Sequence, residues 1–247
     1  MTKKYRKPNW KKVEIKLRDE RLIRTVGDEG FVRRDLVIKY IFEDKESYAK
    51  TRIRKLKRFD YLKAVSVKVG DPECYLLGPE GVELVRKFYP IGIRGWGCPS
   101  VQSSIDLGSY EHSCKVTEAR LLLENMKFCK NWKSERMLRA GTKGGHKVPD
   151  GFFIPNQKGI AVEVELKLKK TSSYERIFEV YRDDPKTHYI LYICGSLPLL
   201  TRIRRLVKKA YVSKGYCFML YDDLVRSREN AVVRINDKEF PIKDVLS

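Results

Sequence analysis

The chain has 247 residues, of which 42% are hydrophobic, enough to fill the core of one large domain or two small ones and to exclude a disordered chain. Lys and Arg number 52 against 32 Asp and Glu, a formal net charge of +20, which points to a polyanion as partner and to DNA first among them. No apolar run is long enough to span a membrane, no signal-peptide core follows the basic N-terminus, and the six cysteines are spaced too widely for structural zinc, so a cytoplasmic protein with no membrane association is expected.

In chain order, apolar residues recur at helical spacing in three blocks from Leu17 to about Phe59: LRDERLIRTVG, FVRRDLVIKYIF and SYAKTRIRKLKRF. Gly27 to Gly30 and Glu43 to Glu46 separate them. The stretches YLKAVSVKV and CYLLG then flank Gly70, Asp71 and Pro72 as the two arms of a β-hairpin would. Three helices followed by a hairpin is the order of a winged helix-turn-helix, expected here over residues 1–90. The phrase YLLGPEG also resembles the junction between wing and helix in bacterial winged-helix domains.

In the third of these helices Ser47 is expected as the N-cap, with Ala49, Ile53 and Leu56 forming the stripe toward the core. That leaves Lys50, Arg54, Lys57 and Arg58 on the outer face, where a recognition helix would present phosphate contacts. Residues 91–109, dense in Gly, Pro and Ser, read as a linker in which Trp96 packs locally. Residues 110–247 read as an α/β domain. It comprises a helix from Tyr110 to Phe128, a hairpin from about Phe152 to Leu168, a helix from about Ser173 to Tyr181, a strand THYILYIC, a helix around Leu199 to Ser213, and short strands YCFML and AVVRI.

The hairpin carries the candidate chemistry. Strand alternation sets Val162, Val164, Leu166 and Leu168 on one face and Glu163, Glu165, Lys167 and Lys169 on the other. On its own this describes a half-buried strand with a solvated side. Turning the chain about Gln157, however, brings Asp150 opposite Val164 and beside Glu163 and Glu165. Three converging carboxylates repel one another unless a hard cation sits among them, and oxygen donors of this kind suit Mg2+ or Mn2+. Lys167, one pleat further, is placed to meet an anion. Lys169 is read as a phosphate contact.

Pro149-Asp150 followed by Glu165-Leu166-Lys167 resembles the PD-(D/E)xK nuclease superfamily, as does the order helix, hairpin, strand, helix, strand. A finer similarity is to the replication-relaxation family, which includes the MOBC-type conjugative relaxases: it rests on His112, WKSER at Trp132 to Arg136, VPDGFF, AVEVELK, Tyr174, Ile177 and Tyr181. Many members of that family carry an N-terminal winged helix. The resemblance implies an α+β protein in which a winged helix precedes a PD-(D/E)xK nuclease-like domain. It also implies a metal-dependent DNA endonuclease, a nickase or relaxase, serving replication or transfer of a mobile element. Asp150, Glu163 and Glu165 would hold the cation, with either glutamate as the principal ligand, and Lys167 would orient water or meet the oxyanion.

His112 and Glu118 are auxiliary candidates, although the family often has Asn where Glu118 aligns. Glu135 and Arg136 are expected as an ion pair beside the site, and Tyr174 and Tyr181 as packing behind the hairpin. The segment GTKGGHK has His146 where a Walker loop requires Gly and no Ser or Thr after Lys147, and it reads as a flexible or DNA-facing loop. A non-enzymatic winged-helix regulator with a nuclease-like platform, and a junction resolvase, are the competing readings. Other transfer or replication proteins, or a second copy of the chain, are further partners to consider.

Overall fold

A computed structural model describes residues 13–89, 104–140, 147–210 and 214–246. The first 77 of these form helix α1 (Leu17–Glu29), strand β1 (Val32–Arg33), helix α2 (Arg34–Leu36) continued as a π-helical turn (Val37–Ile41), helix α3 (Glu46–Arg58), strands β2 (Leu62–Val65) and β3 (Cys74–Leu77), and helix α4 (Pro79–Phe88). The strands make an antiparallel sheet in the order β1-β3-β2. Short β1 pairs Val32 with Tyr75 and precedes α2, so the second expected helix begins at Arg34 and not at Phe31.

Amphipathic spacing explains these helices. Leu22, Ile23 and Val26 of α1 and Ala49, Ile53 and Leu56 of α3 are buried in one cluster, and each large aliphatic side chain so removed from water contributes roughly 1.5–3 kcal/mol. Ser47 does not cap α3. The cap position is Lys45 and no side chain bonds there, so Ser47 lies in the first turn. Arg52, on the buried side of the same helix, is paired with buried Asp19 through Nε at 2.8 Å.

The remainder is a seven-stranded mixed sheet with helices on both faces, making the molecule α+β. Helix α5 (Tyr110–Asn125) leads to β4 (Lys133–Ser134), α6 (Glu135–Ala140), β5 (Gly151–Phe153), β6 (Ile160–Glu165), α7 (Thr171–Asp183), β7 (Tyr189–Cys194), α8 (Leu197–Lys209) and β8 (Gly215–Leu220). Helix α9 (Tyr221–Ser227), a 3-10 turn, strands β9 (Val232–Ile235) and β10 (Lys238–Pro241), and α10 (Ile242–Leu246) complete it. The sheet order is β10-β9-β8-β7-β6-β5-β4, and β6, β7 and β8 run parallel.

Strand β6 is buried along its whole length. On one side Val162 and Val164 join the cluster that includes Leu121, Leu123 and the first three helices; on the other Ala161 joins Tyr174, Tyr181 and Leu200. The solvated face expected for this strand is therefore covered, by α7 and α8. The alternation also stops at Glu165, where the strand ends, so Leu166 is half-buried and Leu168 is 58% exposed. These two do not extend the apolar stripe.

Helix α5 is buried on several sides, through Cys114, Val116, Ala119 and Leu121 to Leu123 and also through Thr117 and Arg120, as a helix between two layers must be. It packs on β6 and on the first group of helices, so residues 13–89 and the sheet share one hydrophobic cluster. Buried ions join them as well: Arg120 pairs with Asp28 at 2.8 Å, Glu29 at 2.7 Å and Glu124 at 2.8 Å. Ser134 Oγ donates to the Asp28 carbonyl at 2.6 Å. Most of the expected linker, with Trp96, lies outside the described residues.

Candidate functional site

The loop from Ile154 to Gly159 reverses the chain with Asn156 and Gln157 at positive φ, 44° and 63°, and sets β5 against β6. The register pairs Gly151 with Val162, one residue away from the expected register. Continuing the ladder places Asp150 across from Glu163 and not Val164; the Asp150 carboxylate nevertheless reaches the Val164 amide, which donates to Oδ2 at 2.8 Å. Gly151 is required beside it, because a methyl group there would lie 1.9 Å from the Trp132 ring.

Asp150, Glu163 and Glu165 are all buried. His112, in the first turns of α5, lies with Nε2 3.2 Å from Asp150 Oδ2 and 3.0 Å from the Val164 carbonyl. A carbonyl only accepts, so this nitrogen carries the proton. The bond to Asp150 raises the imidazole above its ordinary pKa. Burial pushes Asp150 upward, but the His112 bond and charge outweigh it and leave the carboxyl below its usual range.

Glu163 points into the layer covered by α7. Tyr181 donates its hydroxyl to Oε1, and Lys147 reaches Oε2 at 3.0 Å. Burial first, and repulsion from Asp150 second, lift Glu163 to about 7. Glu165, at the strand end, is pushed up by burial against the pull of Lys169, whose Nζ lies 2.6 Å from Oε1. Burial depresses Lys169, but Glu165 prevails and the ammonium titrates above its ordinary value. Its backbone N–H donates to the Tyr174 hydroxyl at 3.4 Å, which ties this turn to α7.

The structure thus brings together Asp150, Glu163, Glu165, His112 and Lys169 from the expected set. Lys167 is not on the strand; it lies in the turn after Glu165, is exposed, and pairs with no acidic side chain among the described residues. Glu118 is held elsewhere, accepting from Tyr40 at 2.7 Å and from Tyr221, with Lys39 at 3.5 Å. Glu135 pairs with Arg139 instead of Arg136, which donates to the Gly27 carbonyl at 3.1 Å. Lys147 is a site residue that the sequence does not mark, because it stands in the loop segment GTKGGHK, most of which lies outside the described residues. Tyr181 packs behind the hairpin as expected, and its hydroxyl is in addition a site contact, to Glu163. Its spacing of seven from Tyr174 was the available signal.

On the basic surface, Arg54 and Arg58 are exposed on α3. Lys50 pairs with Glu46 at 2.7 Å across one helical turn, and half-buried Lys57 lies 3.7 Å from Glu73.

Oxygen donors in this number suit a hard divalent cation by chemistry. One oxygen of Glu163 and one of Glu165 are engaged with the ammonium groups of Lys147 and Lys169, and among the described residues no group of three or more His, Cys, Asp or Glu is spaced to hold a metal ion. Among the described residues, too, no helix is long and apolar enough to cross a membrane. Comparison with protein-family models, with curated proteins and with solved structures finds no match for this chain.

Proposed function

We propose that the protein is a DNA-binding, divalent-cation-dependent endonuclease of the PD-(D/E)xK type, a nickase or relaxase acting in replication or transfer of a mobile element. The observation that carries this reading is the convergence of Asp150 and Glu163, buried side by side at one end of a β-hairpin, with Glu165 one pleat on. Burial first and the neighbouring Asp150 second raise Glu163, and groups displaced in this way concentrate at functional sites. The order helix α5, strands β4 to β6, helix α7, strand β7 supports the nuclease-like core. The order α1-β1-α2-α3-β2-β3, with its three-stranded sheet, supports the winged helix.

Asp150, Glu163 and Glu165 would hold Mg2+ or Mn2+, with the Lys147 ammonium giving way at Glu163. When bound, the cation lowers the pKa of a coordinated water and neutralises charge developing on the phosphoryl group. His112 holds Asp150 in place, and Tyr181 does the same for Glu163. Lys169, against Glu165, or Lys167, exposed beside it, would meet the scissile phosphate. Arg54 and Lys50 of α3 contact the DNA backbone in the same proposal.

The test is nicking of a supercoiled plasmid carrying DNA from the genomic neighbourhood of this chain, with Mg2+, with Mn2+ and with chelator. Asp150→Asn and Glu163→Gln should abolish nicking while duplex binding survives. Lys169→Ala and Lys167→Ala, made singly, identify the lysine used, since loss of a transition-state donor costs on the order of 100-fold to 1,000-fold in rate. The competing reading, a non-enzymatic DNA-binding regulator, draws on the neutralisation of Glu163 and Glu165 by Lys147 and Lys169. A parent protein that binds origin DNA yet nicks none under any cation establishes that reading instead.

A further inference from the structure

Helix α8 carries five cations, Arg202, Arg204, Arg205, Lys208 and Lys209, and no acidic residue. Its neighbour α7 interleaves Glu175, Arg176, Glu179, Arg182 and Asp183, as a solvated helix face does. The five divide into two groups. Arg204 and Lys208 lie on one flank and share Asp237, Lys208 at 3.0 Å. Arg202, Arg205 and Lys209 are exposed and have no acidic partner among the described residues.

At about 100° per residue these three fall within an arc of roughly 60°, centred about 140° around the helix from Leu199, Leu200 and Ile203, which anchor the helix to the sheet. Their span along the axis is about 10 Å at 1.5 Å per residue, the reach of a few consecutive phosphates on one strand of a duplex. Three long cations without acidic partners among the described residues, held in a row on a rigid helix, match a phosphate backbone in sign. Mixed charge, the arrangement that serves solubility alone, is missing here.

Position distinguishes this stripe from α3. Ile53 and Leu56 of α3 belong to the cluster on the α5 side of the seven-stranded sheet, whereas α8 packs on the other side. We propose that Arg202, Arg205 and Lys209 form a second DNA-contacting surface, which grips the phosphate backbone of a duplex segment on the face of the sheet away from α3. The protein then holds two segments of DNA, or one that bends around it. This inference rests on the DNA-binding part of the proposed function and is independent of nuclease activity.

The test uses the full chain and a fluorescent duplex of arbitrary sequence, with affinity measured across a salt series. The triple change R202Q/R205Q/K209Q should reduce the slope of log K against log salt by about 0.9 per lost contact, up to about 2.7. The reduction should persist when Lys50→Gln and Arg54→Gln are already present on α3, because the two surfaces are separate. Two duplexes carrying a donor and an acceptor dye should come together on the parent and not on the triple variant. Should the triple variant melt below the parent, the three single variants replace it, each expected to lower the slope by about 0.9. An unchanged slope with a parent that binds duplex overturns the stripe alone; a parent that binds no duplex overturns it together with the DNA-binding reading. A loss seen with single-stranded RNA and not with duplex assigns the stripe to another polyanion, and also overturns the proposal.

Discussion

Glu29 shows how one buried side chain sets a pH dependence. Burial is the largest influence on it and, against the pull of Arg120, lifts its carboxyl from 4.5 to about 7. Between those two values the unfolded chain has released a proton that the folded chain still holds. Stability therefore falls as pH rises through this window, by roughly 3–4 kcal/mol. Glu29→Gln removes the titration, and unfolding in urea at several pH values should show a flatter profile between about 4.5 and 7. Asp28, Glu163 and Glu165 are displaced in the same direction, each by burial first, so part of the slope survives. A variant profile that superimposes on the parent's would assign the whole effect to other groups.

Among the elements, β6 is the one on which the site depends. Its exit at Glu165 decides which lysine meets the carboxylates: a chain that leaves the strand and turns brings Lys169 back to Glu165, whereas a continuing strand would have presented Lys167. Its pairing with β5 depends in turn on the missing Cβ at residue 151, where Trp132 occupies the space. Gly151→Ala must push either the indole or the strand that carries Asp150. A destabilisation of about 1–3 kcal/mol is expected from such overpacking, measured by urea denaturation. Under the nuclease reading, plasmid nicking should fall further than stability explains, since a small displacement of Asp150 disturbs the cation site. Normal nicking by this variant at a temperature where it remains folded would argue against Asp150 as a ligand.

At the scale of the molecule, the helices before residue 90 and the seven-stranded sheet share a hydrophobic cluster and a buried ionic group centred on Arg120. A shared core couples the unfolding of both parts. The full chain should lose helix signal and tryptophan fluorescence in a single coincident transition; Trp132 lies in the sheet region, next to Phe153 at 6.2 Å between ring centroids, and reports on that part. Arg120→Ala leaves Asp28 buried without its cation, while Glu124 keeps Arg21 at 3.2 Å; removing one partner of a buried pair typically costs about 3–5 kcal/mol. Two separated transitions in the parent would show that the parts unfold independently.

Much of the local structure was legible in the sequence because it follows from short-range patterns. The apolar spacing of α1, α3, α5, α7 and α8 and the runs of β6, β7 and β8 are recorded in the order of side chains, and each element is found within a few residues of where that order places it. The proximity of Asp150, Glu163 and Glu165 was legible too, since a hairpin is a local fold whose turn residues stand in the chain. Other features required the tertiary structure. Whether the acidic face of β6 meets water or a second helical layer depends on where α7 and α8 pack, and alternation reads the same in both cases. Lys147, His112 and Tyr181 reach the carboxylates from a loop and two helices, 16, 38 and 18 residues from the groups they touch. The spread of Arg120's partners over α1 and α5 has the same origin. A charge carries no mark of its partner in the sequence, because a buried ion is neutralised by whatever the packing of distant elements brings within reach.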